Sequence, residues 1–262
     1  MPQPSLTVSA CPFRGSAELD RNADIIAHRF RAECDAGAQL VLFHECALSG
    51  YPGVERTDWA GADADTVNAH ITRLAALTDG RHACIVGAPL HADGHVYNAA
   101  YFLSGGTIRA IYRKQTVFEG EEPFFRTGNE AVMADVDGWK IGLLVCFDFR
   151  FPELFRSYLL AECDLVAIPF NMVNRELWKA GVGRAHLVSR AAENGMYMLS
   201  CNNVAEQQNM PTMLVGPDGQ IRAEMPLNSE ESLRMRIEKP VQTPLSRRIR
   251  QAALNLRLQH RV

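Results

Sequence analysis

The stretch Lys140-Ile-Gly-Leu-Leu-Val-Cys146-Phe-Asp-Phe-Arg-Phe-Pro-Glu153 begins as a buried strand and ends as the first turn of a helix. Pro152 suits the first helical position, where its missing N–H has no partner to lose. Glu153 follows in the first turn, where a negative charge suits the helix dipole. Cys146 is therefore expected at the carboxyl end of a strand and just before a helix N-terminus. Open α/β sheets bind ligands at that edge, and a helix N-terminus favours thiolate over thiol. A cysteine so placed is either a reactive nucleophile or a buried structural thiol, and the stretch alone leaves both open.

Outward from this stretch the chain alternates strand and helix. Before it, Ser5 to Ala10 alternates as a short strand, and residues 17 to 36 carry Leu19, Ile26, Phe30 and Cys34 at helical spacing. Leu40 to Phe43 is a continuous apolar run, as expected of a strand covered on both faces. A helix is expected around Thr66 to Leu77. A meander follows, with strands at Ala83 to Leu90, Val96 to Leu103 and Thr107 to Tyr112, and turns at Asp93-Gly94 and Gly105-Gly106. Asp137-Gly138 makes a hairpin into the Cys146 strand. After it, helices are expected at Pro152 to Cys163 and over most of Arg175 to Asn194. Strands are expected at Leu165 to Ile168, Met196 to Cys201 and Leu233 to Ile237, with a hairpin at Pro217-Asp218-Gly219. The tail from Leu245 is basic and amphipathic. Mixed strand pairs with two helices on either side of the middle predict an α/β fold of two sheets, each covered by helices on its outer face.

No linker, low-complexity tract or charge run divides the 262 residues, so one domain is expected over 1–262, with a core of about 5–237 and a tail of 240–262. The composition, 47% hydrophobic and 22% charged, fits a well-cored globular protein. A net charge of -3 with scattered basic residues makes no electrostatic case for nucleic acid. No apolar run is long enough to span a bilayer, and the N-terminus lacks the pattern of a secretory signal. Seven widely spaced cysteines, with no CxxC, suggest reduced thiols and a cytoplasmic setting.

Two charged residues share the placement of Cys146. Glu45 directly follows the apolar strand in Phe43-His44-Glu45, and Lys114 directly follows the third meander strand in Tyr112-Arg113-Lys114. Strands that end on one edge of an α/β core can bring the three together. Taken singly, each is more readily read as a solvated surface charge.

These fragments, together with Gly142-Leu-Leu-Val-Cys146-Phe-Asp-Phe-Arg-Phe-Pro-Glu153, resemble the three signature motifs of the nitrilase superfamily, the carbon–nitrogen hydrolases. Arg190-Ala-Ala-Glu193-Asn194 and Gly216-Pro217-Asp218-Gly219 are similar to two further family motifs, in the right order. The resemblance runs from about Ser5 to Ile237. It implies a four-layer α-β-β-α sandwich that pairs into dimers, and a Glu–Lys–Cys triad with no metal and no cofactor. Position by position, it implies Glu45 as general base and acid, Lys114 as oxyanion stabiliser and Cys146 as nucleophile. Glu121 matches the spacing of a second glutamate, with Glu119 and Glu122 as near alternatives.

The chemistry needs these residue types. An amide carbonyl is a poor electrophile, so the sulfur must react as thiolate. Glu45 would take the thiol proton, deliver it to the leaving amine and then activate water. Lys114 and the Phe147 backbone N–H would receive the oxyanion, and losing one such donor typically costs about 3–4 kcal/mol.

The chain departs from the family pattern at His44, where many relatives carry Pro, and at Gln115, where many carry His. His44 reads either as a local hydrogen-bonding group or as a cap on the strand end. Tyr51, Trp59, Phe170, Asn171, Met172 and Trp178 are candidate pocket walls or else core aromatics, and Asn171 is the best placed, just past a strand end.

An Arg cluster after the nucleophile would suggest a carbamoyl substrate, and only Arg150 stands there. The motif around Cys146 looks more like aliphatic amidases and omega-amidases than like true nitrilases. The expected substrate is a small linear amide, with carbamoyl compounds or nitriles as alternatives on the same residues. Two other classes stay open: an idle scaffold of this fold, and a metal phosphohydrolase on a similar sandwich. The second needs clustered Asp, Asn and His ligands, and His91 with His95 is the one close histidine pair.

Overall fold

The computed structural model describes residues 3–56, 62–173, 176, 178–241 and 243–259. The first of its two six-stranded sheets holds β1 (Ser5–Ala10), β2 (Leu40–Leu42), β3 (Ala83–Ala92), β4 (His95–Ser104), β5 (Thr107–Arg113) and the late strand β12 (Leu233–Glu238), in the order β12-β1-β2-β3-β4-β5. The second holds β6 (Val132–Val136), β7 (Trp139–Leu143), β8 (Leu165–Phe170), β9 (Tyr197–Asn202), β10 (Met213–Val215) and β11 (Ile221–Glu224), in the order β11-β10-β9-β8-β7-β6. Within each sheet three neighbouring strands run parallel, β1-β2-β3 and β7-β8-β9. The flanking strands are antiparallel to their neighbours. The same plan thus occurs twice, although the sequence carries no fixed-period repeat.

Side-chain alternation sets the layers. On β2, β3 and β4 the residues Leu40, Leu42, Ile85, Ala100 and Phe102 point into the core shared with the second sheet. Their neighbours Val41, Cys84, Val86, Tyr101 and Leu103 point the other way, as the two-residue period of a strand requires. That outer face is covered by α1 (Leu19–Asp35) and α2 (Ala64–Ala75) through Ile26, Phe30, Val67, Ile71 and Leu74. The second sheet is covered by α3 (Pro152–Leu160) and α4 (Lys179–Asn194), whose Phe155, Leu159, Leu187 and Ala191 pack into one buried cluster with its strands. The result is the expected α-β-β-α sandwich. The tail forms α5 (Pro244–Gln259), which lies against α3 and α4 with Ile249 and Ala253 packed inward. Among the described residues no helix is long and apolar enough to cross a membrane.

Hairpin chemistry accounts for the registers. Asp93-Gly94, Gly105-Gly106 and Asp137-Gly138 each place two consecutive residues at positive φ. That twist matches the flanking strands. Several element ends differ from expectation by a few residues, and three of them bear on the site and its covering helices. The Cys146 strand leaves the ladder at Leu143, α3 stops at Leu160 rather than Cys163, and α4 begins at Lys179, with Arg175 outside the described residues.

Candidate active site

Four segments that follow strands meet at one end of the sandwich. Glu45 follows β2, Lys114 follows β5, Cys146 follows β7 and Asn171 follows β8. The first two belong to one sheet and the others to its partner, so the site lies across the seam between sheets. The Glu45 N–H donates to the Phe170 carbonyl (3.2 Å) and the Asn171 N–H donates to Glu45 Oε2 (2.9 Å), which ties the two strand ends together. Gly87 makes this packing possible. A Cβ there would lie 2.5 Å from both the Cys46 nitrogen and the His44 carbonyl oxygen.

Lys114 is fully buried, with its backbone held on both sides. Its N–H donates to the Asn98 carbonyl (2.9 Å) and its own carbonyl accepts from Gly128 N–H (2.8 Å). Its Nζ donates to Glu45 Oε1 (2.8 Å) and to both oxygens of Glu121 (2.9 Å each). Burial opposes the ammonium charge. The facing Glu45, Cys146 and Glu121 outweigh it and hold the lysine well above its ordinary range. Glu121 also accepts from Tyr51 OH (3.0 Å) and Asn98 Nδ2 (3.2 Å). Glu119 and Glu122 do not join this cluster; Glu122 accepts from the Gly120 N–H nearby.

Cys146 does not stand at the N-terminus of an α-helix, as the sequence suggested. It opens a short 3-10 turn over Cys146–Arg150, and the helix starts only at Pro152. Cys146 itself adopts φ 43°, the left-handed region that costs a non-glycine residue roughly 1–2 kcal/mol. The Asp148 carboxylate holds this turn. It accepts from the Val145 N–H (3.1 Å), the Thr116 N–H (2.8 Å), the Thr116 hydroxyl (2.6 Å) and the Tyr112 hydroxyl (2.7 Å). It thereby locks the cysteine turn to the segment carrying Lys114. Burial, and then the charge of Glu45, push the Cys146 thiol well above its ordinary range. Raised in this way, the thiol holds its proton more tightly than an ordinary cysteine, with the Glu45 carboxyl as the neighbouring group able to take it. Burial also raises the Glu45 carboxyl against the pull of Lys114.

Cys146 lines a cavity of ≈ 140 Å³ together with Tyr51, Phe118, Phe147, Asn171, Met172 and Asn209, among others. Two wider grooves of ≈ 640 and ≈ 580 Å³ border α5 and do not include Cys146. Of the candidate wall residues, Tyr51, Asn171 and Met172 line the small cavity, and so does Phe147, expected as a backbone donor. Phe170 does not: its ring is fully buried in the central core, edge-on to Phe149 at 5.1 Å, and its carbonyl serves the site instead. Trp178 is exposed and Trp59 lies outside the described residues. His44 both bonds locally, with Nδ1 3.0 Å from the Glu45 carbonyl, and packs against Phe13 at 4.6 Å between ring centres. Burial lowers its pKa to about 4, so it is neutral.

Sequence reasoning passed over four polar residues, the buried Asn98, Asp148 and Asn209 and the partly buried Glu55. Asn98 Nδ2 donates to Glu45 Oε1 (2.7 Å) as well as to Glu121, while its Oδ1 accepts weakly from the Cys46 thiol (3.8 Å). Its signal was present in the sequence, as the one carboxamide in the otherwise apolar and aromatic run Val96 to Leu103.

Residues 11–242 match the family model described as carbon-nitrogen hydrolase. The chain is 35% identical over 198 residues to a glutamine-dependent NAD(+) synthetase of Xanthomonas campestris, covering 72% of this chain and 35% of that protein. It is 27% identical over 251 residues to a chloroplastic omega-amidase of Arabidopsis thaliana, covering 85% of this chain and 66% of that one. The chain therefore spans about a third of the synthetase's length and just under two thirds of the omega-amidase's. Among solved structures, a mutant amidase of the nitrilase superfamily from Nesterenkonia AN1 superposes with a TM-score of 0.80 over 98% of both chains at 23% identity, a likeness of fold.

Proposed function

We propose that this chain, which belongs to the carbon-nitrogen hydrolase family, hydrolyses the C–N bond of a small linear amide through a thioester on Cys146, releasing ammonia or an amine. The observation that carries the reading is a single arrangement. One buried ammonium, Lys114, holds two carboxylates beside a thiol on the wall of a small cavity.

In the resting site Cys146 is protonated and Glu45 is the base. Its raised basicity narrows the gap to the thiol, which favours proton transfer. As sulfur attacks the amide carbon, Glu45 takes the Sγ proton and the carbonyl electrons move onto oxygen. Lys114 Nζ and the Phe147 N–H, in the first turn where N–H groups lack intrahelical partners, receive that oxyanion. Collapse breaks the C–N bond, and the amine leaves with the proton from Glu45. Water then gives a proton to Glu45 and attacks the thioester carbon. Collapse of the second tetrahedral state expels the sulfur, which recovers its proton, and frees the carboxylic acid. Glu121, Asn98 and Tyr51 hold Lys114 and Glu45 in place through both halves.

The omega-amidase relative supports an amide substrate, and the synthetase relative adds glutamine to the amides to be tried. Ammonia release over a panel of aliphatic amides, glutamine, carbamoyl compounds and nitriles tests the reading. Amides should be turned over fastest, and Cys146→Ala should abolish turnover. Turnover of nitriles alone would remove the amide choice, and activity surviving in Cys146→Ala would remove the nucleophile. Pairing of chains, implied by the family resemblance, belongs to the same proposal; sedimentation at monomer mass would contradict it.

A further inference from the structure

The cavity beside Cys146 is lined by two carboxamides, Asn171 and Asn209, that between them leave three polar atoms unpaired among the described residues. Asn171 Nδ2 donates to Glu55 Oε2 (3.3 Å). Glu55 also receives the Tyr51 N–H (2.7 Å) and Asn203 Nδ2. With its nitrogen end committed to this acceptor, Asn171 leaves Oδ1 buried and unpartnered among the described residues. Asn209 goes further. It is 1% exposed, lines the same cavity, and finds no partner for either Nδ2 or Oδ1 among the described residues. Its position is fixed by its neighbours. The Asn209 N–H donates to the Met172 carbonyl (3.1 Å), Gln208 Nε2 donates to the Asn203 carbonyl and Asn202 Nδ2 to the Met210 carbonyl (2.7 Å). A rigidly held, desolvated amide that serves no internal bond is costly unless a ligand pairs with it.

We infer that Asn209, with Asn171 Oδ1 on the same wall, is a specificity-determining site that reads a second, uncharged donor–acceptor group of the substrate, such as a carboxamide or ureido group. The inference rests on the amide-hydrolysis reading above. Asn209 presents one donor and one acceptor, and Asn171 adds an acceptor. A second amide on the substrate satisfies both ends of Asn209. A carboxylate carries acceptors only, so it would pair with Nδ2 and set its charge against two carbonyl oxygens. An alkyl chain would leave every atom unpaired. Among the described residues two cations line the cavity, one held in an ion pair and the other set over aromatic rings. Lys179 is ion-paired to Glu176, and the Arg150 guanidinium lies over the rings of Phe147 and Phe149 at 5.8 and 5.9 Å.

The test compares kcat/KM for malonamide, succinamide and glutaramide with the corresponding mono-acid amides and alkyl amides of equal length. At least one diamide should exceed both of its counterparts by roughly tenfold to a hundredfold. In Asn209→Leu, similar in size but apolar, the diamide-to-alkyl ratio should fall by the same factor. Preference for mono-acids or alkyl amides in the unmodified protein overturns the inference, as does an unchanged ratio in Asn209→Leu. Should Asn209→Leu fail to fold by circular dichroism, the ranking by the unmodified protein decides. If no amide releases ammonia, the amide reading fails and this inference falls with it. If alkyl amides turn over without a diamide preference, only this inference fails.

Discussion

Replacing Lys114 by Met removes the one positive charge between two buried carboxylates. Glu45 Oε1 and Glu121 Oε1 lie 2.8 and 2.9 Å from the same Nζ, so they are at most about 5.7 Å apart. At an effective dielectric constant of 20, two unit charges at that distance repel by about 3 kcal/mol. Their attraction to the ammonium is lost as well, and breaking a buried ion pair from one side typically costs about 3–5 kcal/mol. For a chain of this size that is roughly 6–20 °C in Tm. The variant should therefore hold a proton at Glu45 more readily than the unmodified protein, visible as a new protonated-carboxyl band in isotope-edited infrared spectra. Its stability should rise on acidification, because protonation relieves the repulsion. Ammonia release should fall by roughly 10²–10³-fold through loss of an oxyanion donor. A Lys114→Met protein with unchanged Tm, no added proton and near-normal turnover would refute the reasoning.

Three further expectations follow from the same geometry. Glu45 must be ionised to act, and burial raises its carboxyl, so kcat/KM should fall on the acid side above the ordinary carboxyl value of about 4.3. Because the Cys146 thiol is also raised, the profile should show no step near the ordinary thiol value of about 8.5; a rise tracking thiolate formation there would contradict the account. Cys146→Gly and Cys146→Ala should both be inactive, and the glycine variant should be the more stable by about 1 kcal/mol in denaturant melts, since the position has φ 43°. Gly87→Ala should lose about 1–3 kcal/mol of stability and also slow turnover, since its methyl would sit 2.9 Å from the Glu45 Cα; full activity would show that the strand end tolerates the shift.

Most of the fold was legible because its signals are local. Paired turn residues such as Asp137-Gly138 mark hairpins, and apolar runs such as Leu40–Leu42 mark parallel strands buried on both faces. The strand-end positions of Glu45, Lys114 and Cys146 were legible for the same reason. What stayed hidden depends on partners distant in sequence. Asp148 reads as a plain turn acid until Tyr112 and Thr116 arrive 36 and 32 residues away. Glu55 has no visible role until Asn171 and Asn203 face it. The helix-end argument for Cys146 failed because Asp148 takes the Val145 N–H and a 3-10 turn intervenes before Pro152. Burial then outweighs any dipole at the sulfur.

The central claim is that Cys146 becomes acylated while Glu45 moves the protons. Intact-protein mass spectrometry of a turnover reaction quenched in acid, followed by peptide mapping, tests it most directly. The account predicts a substrate-derived acyl group on the peptide containing Cys146, formed together with one equivalent of ammonia or amine and absent from Cys146→Ala. Ammonia release with no adduct in Cys146→Ala, or an acyl group mapped to another cysteine, would contradict it.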